Sequence, residues 1–161
     1  MNKSILRIRQ AKEKDLPEIL RLIRIYERYD VRFAERYYKI YFSSHKMAHE
    51  DTVFVAEMDG KVIGVIGYCC DYFSTDYSYW LGWFAVDKKL WGNEKLGVGK
   101  KLLKRVEHDL KGRVPKLFVS VDGKNRRATN FYIKHRFRFE ARLSDYYYQG
   151  EDQIILSKSL D

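Results

Sequence analysis

The sequence is poor in cysteine and proline and has no long apolar run. Its 161 residues include two prolines and two cysteines. The cysteines, Cys69 and Cys70, are adjacent, and neighbours in sequence form only a strained disulfide. A disulfide framework is therefore excluded, and a reducing cytoplasm is the expected location. No apolar stretch approaches the roughly 18 residues that cross a bilayer, and the first ten residues lack the apolar centre of a signal peptide, so no membrane partner is expected.

Acidic residues are also in deficit. Lysine and arginine number 31 against 22 aspartates and glutamates, which gives a formal net charge of +9. Such an excess favours anionic partners, among them nucleic acids, membranes and phosphorylated cofactors. The sequence has no helix-turn-helix, zinc-finger or RNA-recognition pattern, so a nucleic acid is not the expected partner.

Metal-ligand patterns are nearly missing as well. His45 and His49 have the spacing of two ligands on one helix face. Lys46 stands where a zinc-binding motif of this kind has glutamate, and the sequence shows no third ligand. No metal is therefore expected.

Hydrophobic periodicity predicts one mixed α/β domain over residues 1–161, in the order β-α-α-β-β-β-α-β-α-β-β. Asp15 followed by Glu18 predicts a capping box at the first helix, and Asp59-Gly60 predicts a hairpin turn. The predicted strands are 6–9, 52–58, 61–68, 77–86, 116–121, 138–148 and 153–160, and the predicted helices are 16–29, 31–47, 96–110 and 125–134.

The first chemical signal is the glycine pair Gly97-Val98-Gly99, directly before a predicted helix. Glycines there let the backbone approach a ligand, while unpaired N–H groups and the helix dipole attract phosphate. A Walker loop is excluded because no Lys-Ser/Thr follows Gly97, and a dinucleotide fingerprint is excluded because Leu102 replaces its third glycine. The alternative is that the glycines only make the start of the helix more flexible and have no part in binding a ligand.

The glycine pair belongs to one of three segments that are read together. They are Phe84-Ala85-Val86-Asp87, Glu94-Lys95-Leu96-Gly97-Val98-Gly99-Lys100-Lys101-Leu102-Leu103, and Asn125-Arg126-Arg127-Ala128-Thr129-Asn130-Phe131-Tyr132 with His135-Arg136-Phe137 after it. Together they resemble the GNAT superfamily of N-acetyltransferases, and the resemblance covers nearly the whole chain. It implies an α/β (α+β mixed) fold with a central, mostly antiparallel mixed sheet, splayed central strands and helices on both faces.

The resemblance implies an acetyl-CoA-dependent transfer of an acetyl group to a primary amine by direct attack. The acceptor stays open between a peptide or protein N-terminus and a small-molecule amine, and homodimer formation stays open too. Tyr132 is implied as the general acid that protonates the departing thiolate. The implied cofactor-binding residues are Phe84, Ala85, Val86, Leu96, Gly97, Val98, Gly99, Lys100, Lys101, Asn125, Ala128 and Tyr132.

Two of these residues have structural alternatives. Asn125 is also a candidate helix N-cap, and Tyr132 is a candidate for an aromatic core pair with Phe131.

The general base cannot be transferred from the family. Ser120 and Trp80 stand at two positions where relatives carry a glutamate. Ser120 or Asp122 acting through a water is one solution, and the other candidates are Glu57, Tyr79 and His135. A domain that binds a CoA ester as a sensor, without turnover, is therefore the alternative function, followed by a basic nucleic-acid-binding module.

The acceptor site is predicted at Tyr146, Tyr147 and Tyr148. They precede a turn in a strand-loop-strand segment like the one with which peptide-directed relatives hold a substrate N-terminus. The alternative is three tyrosines that alternate across an ordinary strand. Further tyrosines, which extend the aromatic wall in this prediction, are Tyr37, Tyr38, Tyr41 and Tyr72.

Overall fold

The computed structural model describes residues 5–25, 31–43, 51–70 and 77–160. Within these ranges the mixed α/β fold class is confirmed, with four α-helices and eight strands in mostly antiparallel pairs. No helix in the same ranges is long and apolar enough to cross a bilayer. The elements are β1 (Leu6–Gln10), α1 (Leu16–Arg24), α2 (Val31–Phe42), β2 (Thr52–Met58), β3 (Lys61–Cys70), β4 (Ser78–Leu81), β5 (Ala85–Val86), α3 (Val98–Leu110), β6 (Lys116–Asp122), α4 (Arg126–Lys134), β7 (Arg138–Tyr148) and β8 (Glu151–Ser159).

The chain divides into two compact units. The first unit comprises Met1–Cys69 and Gly82–Asp109, and the second comprises Cys70–Leu81 and Leu110–Asp161. The assignment of residues 1–161 to a single domain stays a prediction.

In the first unit, β1, β2 and β3 pair antiparallel in that order, and β5 pairs antiparallel with β3. Asp59 and Gly60 have φ angles of +51° and +76°, so the predicted hairpin turn between β2 and β3 is confirmed. The buried core includes side chains from both early helices and from the strands, among them Ile19, Leu22, Tyr38, Val53, Val55 and Val65. Of the large apolar residues on α2, Phe33 and Ile40 are exposed.

The start of α1 differs from the predicted capping box. Asp15 makes no side-chain cap bond to α1 and instead accepts the Lys12 N–H at 2.8 Å. Both carboxylate oxygens also accept from the Arg9 guanidinium, at 2.7 and 2.9 Å, and Arg9 further binds Glu57. Asp15 is buried, so these bonds satisfy a charge that would otherwise be costly. The predicted capping box is therefore wrong, because the Asp15 carboxylate binds Arg9 and the Lys12 N–H and not the first turn of α1.

The two early helices also differ from their predicted lengths. α1 ends at Arg24, and the remainder of the predicted 16–29 helix beyond Ile25 lies outside the described residues. α2 ends at Phe42, and residues 44–47 of the predicted helix lie outside the described residues as well.

In the second unit, β4 pairs parallel with β6, while β8 pairs antiparallel with β6 on one side and β7 on the other. Leu117, Val119 and Val121 alternate along β6 and are buried, as is Leu156 of β8. Because side chains alternate along a strand, these residues mark the core face of this sheet.

The predicted strand 77–86 is wrong as a single element. Its first part is β4, which pairs with β6, and its last part is β5, which pairs with β3. Between them, residues 82–84 belong to no strand, and the Gly82 N–H donates to the Gly67 carbonyl at 2.9 Å. Glycine weakens a strand interior and permits this close backbone approach.

Candidate active site

The loop before α3 turns at Gly97 and is braced by Asn93. Gly97 has a φ of +53°, a conformation that residues with a Cβ atom rarely adopt. The Asn93 carbonyl accepts the Gly97 N–H at 3.0 Å, and its side-chain Oδ1 accepts the Leu96 N–H at 3.1 Å. The two predicted glycines thus differ in role, because Gly97 forms the turn whereas Gly99 lies in the first turn of α3.

The first turn of α3 presents backbone donors that suit an anion. The Lys101 N–H donates to the Gly97 carbonyl at 2.9 Å. In the part of the chain that the structure describes, the N–H groups of Val98, Gly99 and Lys100 have no acceptor. Together with the positive end of the helix dipole and the exposed lysine side chains here, they fit the diphosphate of the expected cofactor. The predicted phosphate loop therefore has three backbone donors at its centre.

β5 lies against β3 at a glycine that the sequence analysis missed. Val86 pairs with Gly64. A Cβ atom at Gly64 would lie 2.8 Å from Leu102 Cδ1 and 3.1 Å from Val98 Cγ1. Gly64 thus lets α3 pack directly on β3 beside β5. An isolated glycine inside a strand pattern is the signal that could have found it.

Two side chains fasten the end of β5. The Trp91 indole Nε1 donates to the Val86 carbonyl at 2.9 Å. Arg21 of α1 binds the Asp87 carboxylate at 3.0 Å through Nη1 and donates from Nη2 to the Val62 carbonyl at 3.1 Å. Phe84, Ala85 and Val86, the predicted cofactor residues of this segment, therefore adjoin a fixed stretch of backbone.

In the second unit, Asn125 caps α4. Its Oδ1 accepts the Ala128 N–H at 3.0 Å, so the N-cap interpretation is confirmed. Its backbone N–H donates to the Asp122 carbonyl at 2.8 Å. Among the described residues, the Asn125 side-chain nitrogen has no acceptor, which leaves it as the group that can donate to a cofactor amide. The cofactor role of Asn125 and Ala128 stays a prediction.

Tyr132 is buried in an aromatic cluster. Its ring packs edge-on against Phe131, at 5.4 Å between centroids, and against Phe137, at 5.2 Å. His135, one of the base candidates, packs edge-on against Phe131 at 4.5 Å. The cluster fixes the direction of the Tyr132 phenol, and the proton transfer assigned to it stays a prediction.

One face of the second unit's sheet carries two of the five base candidates, Ser120 and Asp122. Phe118, Ser120 and Asp122 alternate along β6 opposite the buried core face, and Asp122 pairs with Gln153 of β8. Trp80 stacks on Phe118 at 5.1 Å between ring centroids. We call Trp80, Phe118, Ser120, Asp122 and Gln153 the Ser120 face. Both positions at which relatives carry a glutamate, Trp80 and Ser120, thus share it.

The carboxylates among the base candidates have structural partners. Asp122 is buried, and its Oδ1 accepts the Lys124 N–H at 2.7 Å, which starts the turn into α4. Glu57 binds Arg9. Ser120 is exposed, whereas Tyr79 is buried. The base stays unassigned.

The three predicted acceptor tyrosines differ in exposure. Tyr146 and Tyr148 are 55% and 73% exposed, whereas Tyr147 is half-buried. The Tyr147 hydroxyl accepts from Gln153 Nε2 at 3.2 Å. The β7–β8 register is interrupted between Leu143 and Tyr148, so regular alternation does not place these rings.

The predicted site residues are divided between the two compact units. Phe84 to Val86 and Leu96 to Lys101 lie in the first unit. The second unit holds Ser120, Asp122, Asn125, Ala128, Tyr132 and Tyr146 to Tyr148.

The His45–His49 pair, which was not predicted to bind a metal, and Tyr72 of the predicted aromatic wall lie outside the described residues. The described ranges contain no group of three or more histidine, cysteine, aspartate or glutamate side chains that could hold a metal.

Comparison with known proteins adds a family and a fold. The model of the acetyltransferase (GNAT) family matches residues 16–137. An N-alpha-acetyltransferase of Sulfurisphaera tokodaii is 27% identical over 164 residues, which cover 96% of this chain and 93% of that protein.

Solved structures of acetyltransferases share the fold. An acetyltransferase of the GNAT family from Desulfovibrio desulfuricans superposes with a TM-score of 0.84 at 22% identity, over 98% of this chain and 100% of that one. The ribosomal-protein-S18-alanine N-acetyltransferase of Escherichia coli gives a TM-score of 0.75 at 20% identity, over 98% of this chain and 95% of that one.

Proposed function

The chain belongs to the GNAT acetyltransferase family, and on that premise we propose that it transfers the acetyl group of acetyl-CoA to the α-amine of a peptide or protein N-terminus. The observation that carries the choice of acceptor is the display of Tyr146 and Tyr148 on the second unit, with Tyr147 held between them by Gln153. The similarity to an N-alpha-acetyltransferase over nearly the whole chain supports it.

Acetyl-CoA, when bound, supplies an acetyl thioester that is already activated for attack. In this proposal the N–H groups of Val98, Gly99 and Lys100 bind its diphosphate, and the nearby lysines neutralise the remaining charge. The Asn125 side-chain nitrogen donates to the cofactor's amide arm. These groups orient the thioester, and orientation is a large part of what an acyl-transfer enzyme must supply.

Two protons must move in the reaction. Only the neutral amine attacks, so the ammonium form of the acceptor must first lose a proton. The exposed Ser120 hydroxyl lies on a face without a second exposed candidate base, which suits a water that carries this proton to solvent. The Tyr132 Oη–H donates the other proton to the departing thiolate.

The acceptor class follows from the chemistry of the tyrosines. Exposed phenol rings offer apolar area with a polar edge, which suits a peptide backbone better than a highly charged polyamine. We place the reaction in the cytoplasm, the reducing compartment in which Cys69 and Cys70 remain thiols.

The test is a thiol-release assay with acetyl-CoA and a panel of amines. The panel contains an alanine-initiated decapeptide, the same peptide with a blocked N-terminus and an internal lysine, and a small polyamine. We expect release of CoA with the free peptide alone, and fragment mass spectra that locate one added acetyl group on its α-amine.

Each other result has a definite meaning. Turnover with the polyamine but not with the free peptide would contradict the acceptor, and acetylation of the blocked peptide would point to lysine side chains. Calorimetric binding of acetyl-CoA without turnover on any amine would support a CoA-ester sensor.

A further inference from the structure

Gln153 is a buried polar residue in the middle strand of three. It lies on β8, between β6 and β7, and is only 8% exposed. Burial of a side-chain amide is unfavourable unless hydrogen bonds compensate, so a leucine or isoleucine would be the cheaper residue at this position. The presence of a side-chain amide at this buried position therefore requires an explanation.

The hydrogen bond of the amide nitrogen explains one of its two polar atoms. Gln153 Nε2 donates to the Tyr147 hydroxyl at 3.2 Å. The backbone register of β7 on β8 is interrupted between Leu143 and Tyr148, and Asp145 adopts a φ of +53° there. The strand ladder does not fix Tyr147. Its ring packs edge-on against Tyr146 at 5.0 Å between centroids, and the bond from Gln153 helps to orient its hydroxyl.

The amide oxygen, Oε1, has no hydrogen-bond partner among the described residues. Within the described ranges, Gln153 Oε1 accepts no hydrogen bond, and it keeps contact with solvent although the residue as a whole is more than nine-tenths buried. An amide carbonyl in this state is an acceptor for an N–H donor. The residue faces the same side of the sheet as Ser120, because Asp122 and Gln153 are paired and Ser120 is two residues from Asp122.

We propose that Gln153 is a specificity residue of the acceptor site, where Oε1 accepts an N–H of the acceptor amine while Nε2 positions Tyr147. This inference rests on the proposed function, which supplies the amine. An ammonium or amine donor fits the carbonyl, whereas an alcohol or thiol acceptor offers fewer hydrogens to it.

The experiment measures KM for the alanine-initiated decapeptide and for acetyl-CoA separately. Gln153→Met keeps the length of the side chain and removes both polar atoms. We expect it to raise the peptide KM about five- to tenfold, the loss of roughly one hydrogen bond, with the acetyl-CoA KM within about twofold. Tyr147→Phe alone removes only the positioned hydroxyl, and Gln153→Met should remain harmful in that background.

The conservative variant Gln153→Glu distinguishes a role in the acceptor site from a purely structural role, because a purely structural role would not change the pH profile. Gln153→Glu keeps an oxygen acceptor and adds a negative charge beside the amine. A carboxylate stabilises the ammonium form, so the acid limb of the kcat/KM profile should shift upward by about half a pH unit or more. The peptide KM should stay within about threefold of the wild-type value.

Ser157→Ala is the matched control. Ser157 is a buried polar residue on the same face of β8, and its hydroxyl donates to Glu140. Neither KM should change in this variant. An unchanged peptide KM in Gln153→Met, or an equal rise in Ser157→Ala, would overturn the inference while leaving the proposed function intact. A wild-type enzyme that acetylates no peptide would overturn both.

Discussion

Replacement of Gly97 tests the proposed phosphate site most directly. Its φ of +53° lies in the left-handed region, which costs a residue with a Cβ atom about 1–2 kcal/mol, and a β-branched residue more. Among the described residues, a Cβ atom here would meet only the Glu94 carbonyl oxygen, at 3.4 Å, which is an ordinary contact. Gly97→Val is therefore strained by its backbone and not by a clash.

That strain must appear either in stability or in affinity. If the loop keeps its conformation, the free energy of unfolding falls by about 1–2 kcal/mol. If the loop relaxes, the N–H groups of Val98 to Lys100 turn away, and cofactor binding must restore the strained conformation. The same energy then weakens binding by about 5- to 30-fold. We expect the second outcome, because residues 92–95 before the turn are exposed and can rearrange.

The assay is titration calorimetry with acetyl-CoA on a series at position 97. Affinity should fall in Gly97→Ala and further in Gly97→Val, whereas Gly97→Asn should bind nearly as the wild type does, because asparagine tolerates the left-handed region. S-acetylpantetheine has no diphosphate. Its turnover should therefore be similar in wild type and Gly97→Val.

Gly92→Ala is the control for strain alone. Gly92 has a φ of +74°, and no atom of the described residues lies within 4 Å of a Cβ atom built there, so alanine has a similar conformational cost away from the three donors. It should lose stability and keep its affinity. Equal weakening of acetyl-CoA binding in Gly92→Ala, or wild-type affinity in Gly97→Val, would refute the phosphate-site assignment.

Three further predictions concern the acid, the acceptor surface and the fold. Tyr132→Phe keeps the packed ring and removes the proton donor, so kcat should fall about tenfold or more with acetyl-CoA affinity kept within a few-fold; full activity would return Tyr132 to a purely structural role. Tyr148→Ala should raise the peptide KM and spare the acetyl-CoA KM, and equal effects on both would indicate a folding role instead. Asp15→Asn should lower the free energy of unfolding in urea by about 3 kcal/mol near neutral pH, because it breaks a largely buried ion pair with Arg9. Burial raises the pKa of Asp15, but the bonds from Arg9 and the Lys12 N–H outweigh burial and lower it. The stabilisation is thus present above about pH 4 and lost as the pH falls through the lowered pKa, so the gap between wild type and Asp15→Asn should narrow in acid; a constant gap would contradict this reasoning.

The features that the sequence predicted well depend on neighbours along the chain. Asp59-Gly60 supplies the positive φ angles of a tight hairpin within two residues, and both strands around it appear. Asn125 caps α4 through a bond to a residue three positions away. The resemblance to the GNAT family was likewise carried by contiguous segments, and the family is confirmed.

The features that the sequence did not predict depend on distant partners. Asp15 looked like a helix cap, but its carboxylate binds Arg9 six residues earlier in the chain, and the same guanidinium binds Glu57, 48 residues from Arg9. The strand predicted over 77–86 divides because its two ends pair with different strands. Gln153 was not predicted, because the sequence around it does not distinguish a buried glutamine side chain from an exposed one.

β5 has only two residues, and a ladder this short is expected to open and close much faster than the strands beside it. Arg21 and Trp91 hold its C-terminal end through side chains, so the rate of opening is set by those two side chains more than by the strand itself. The Asp87 amide donates to the Ile63 carbonyl. Its rate of hydrogen exchange should therefore depend on α1 as well as on the sheet. Variation in α1 can thus change how long the backbone around Val86 stays ordered without touching any ligand.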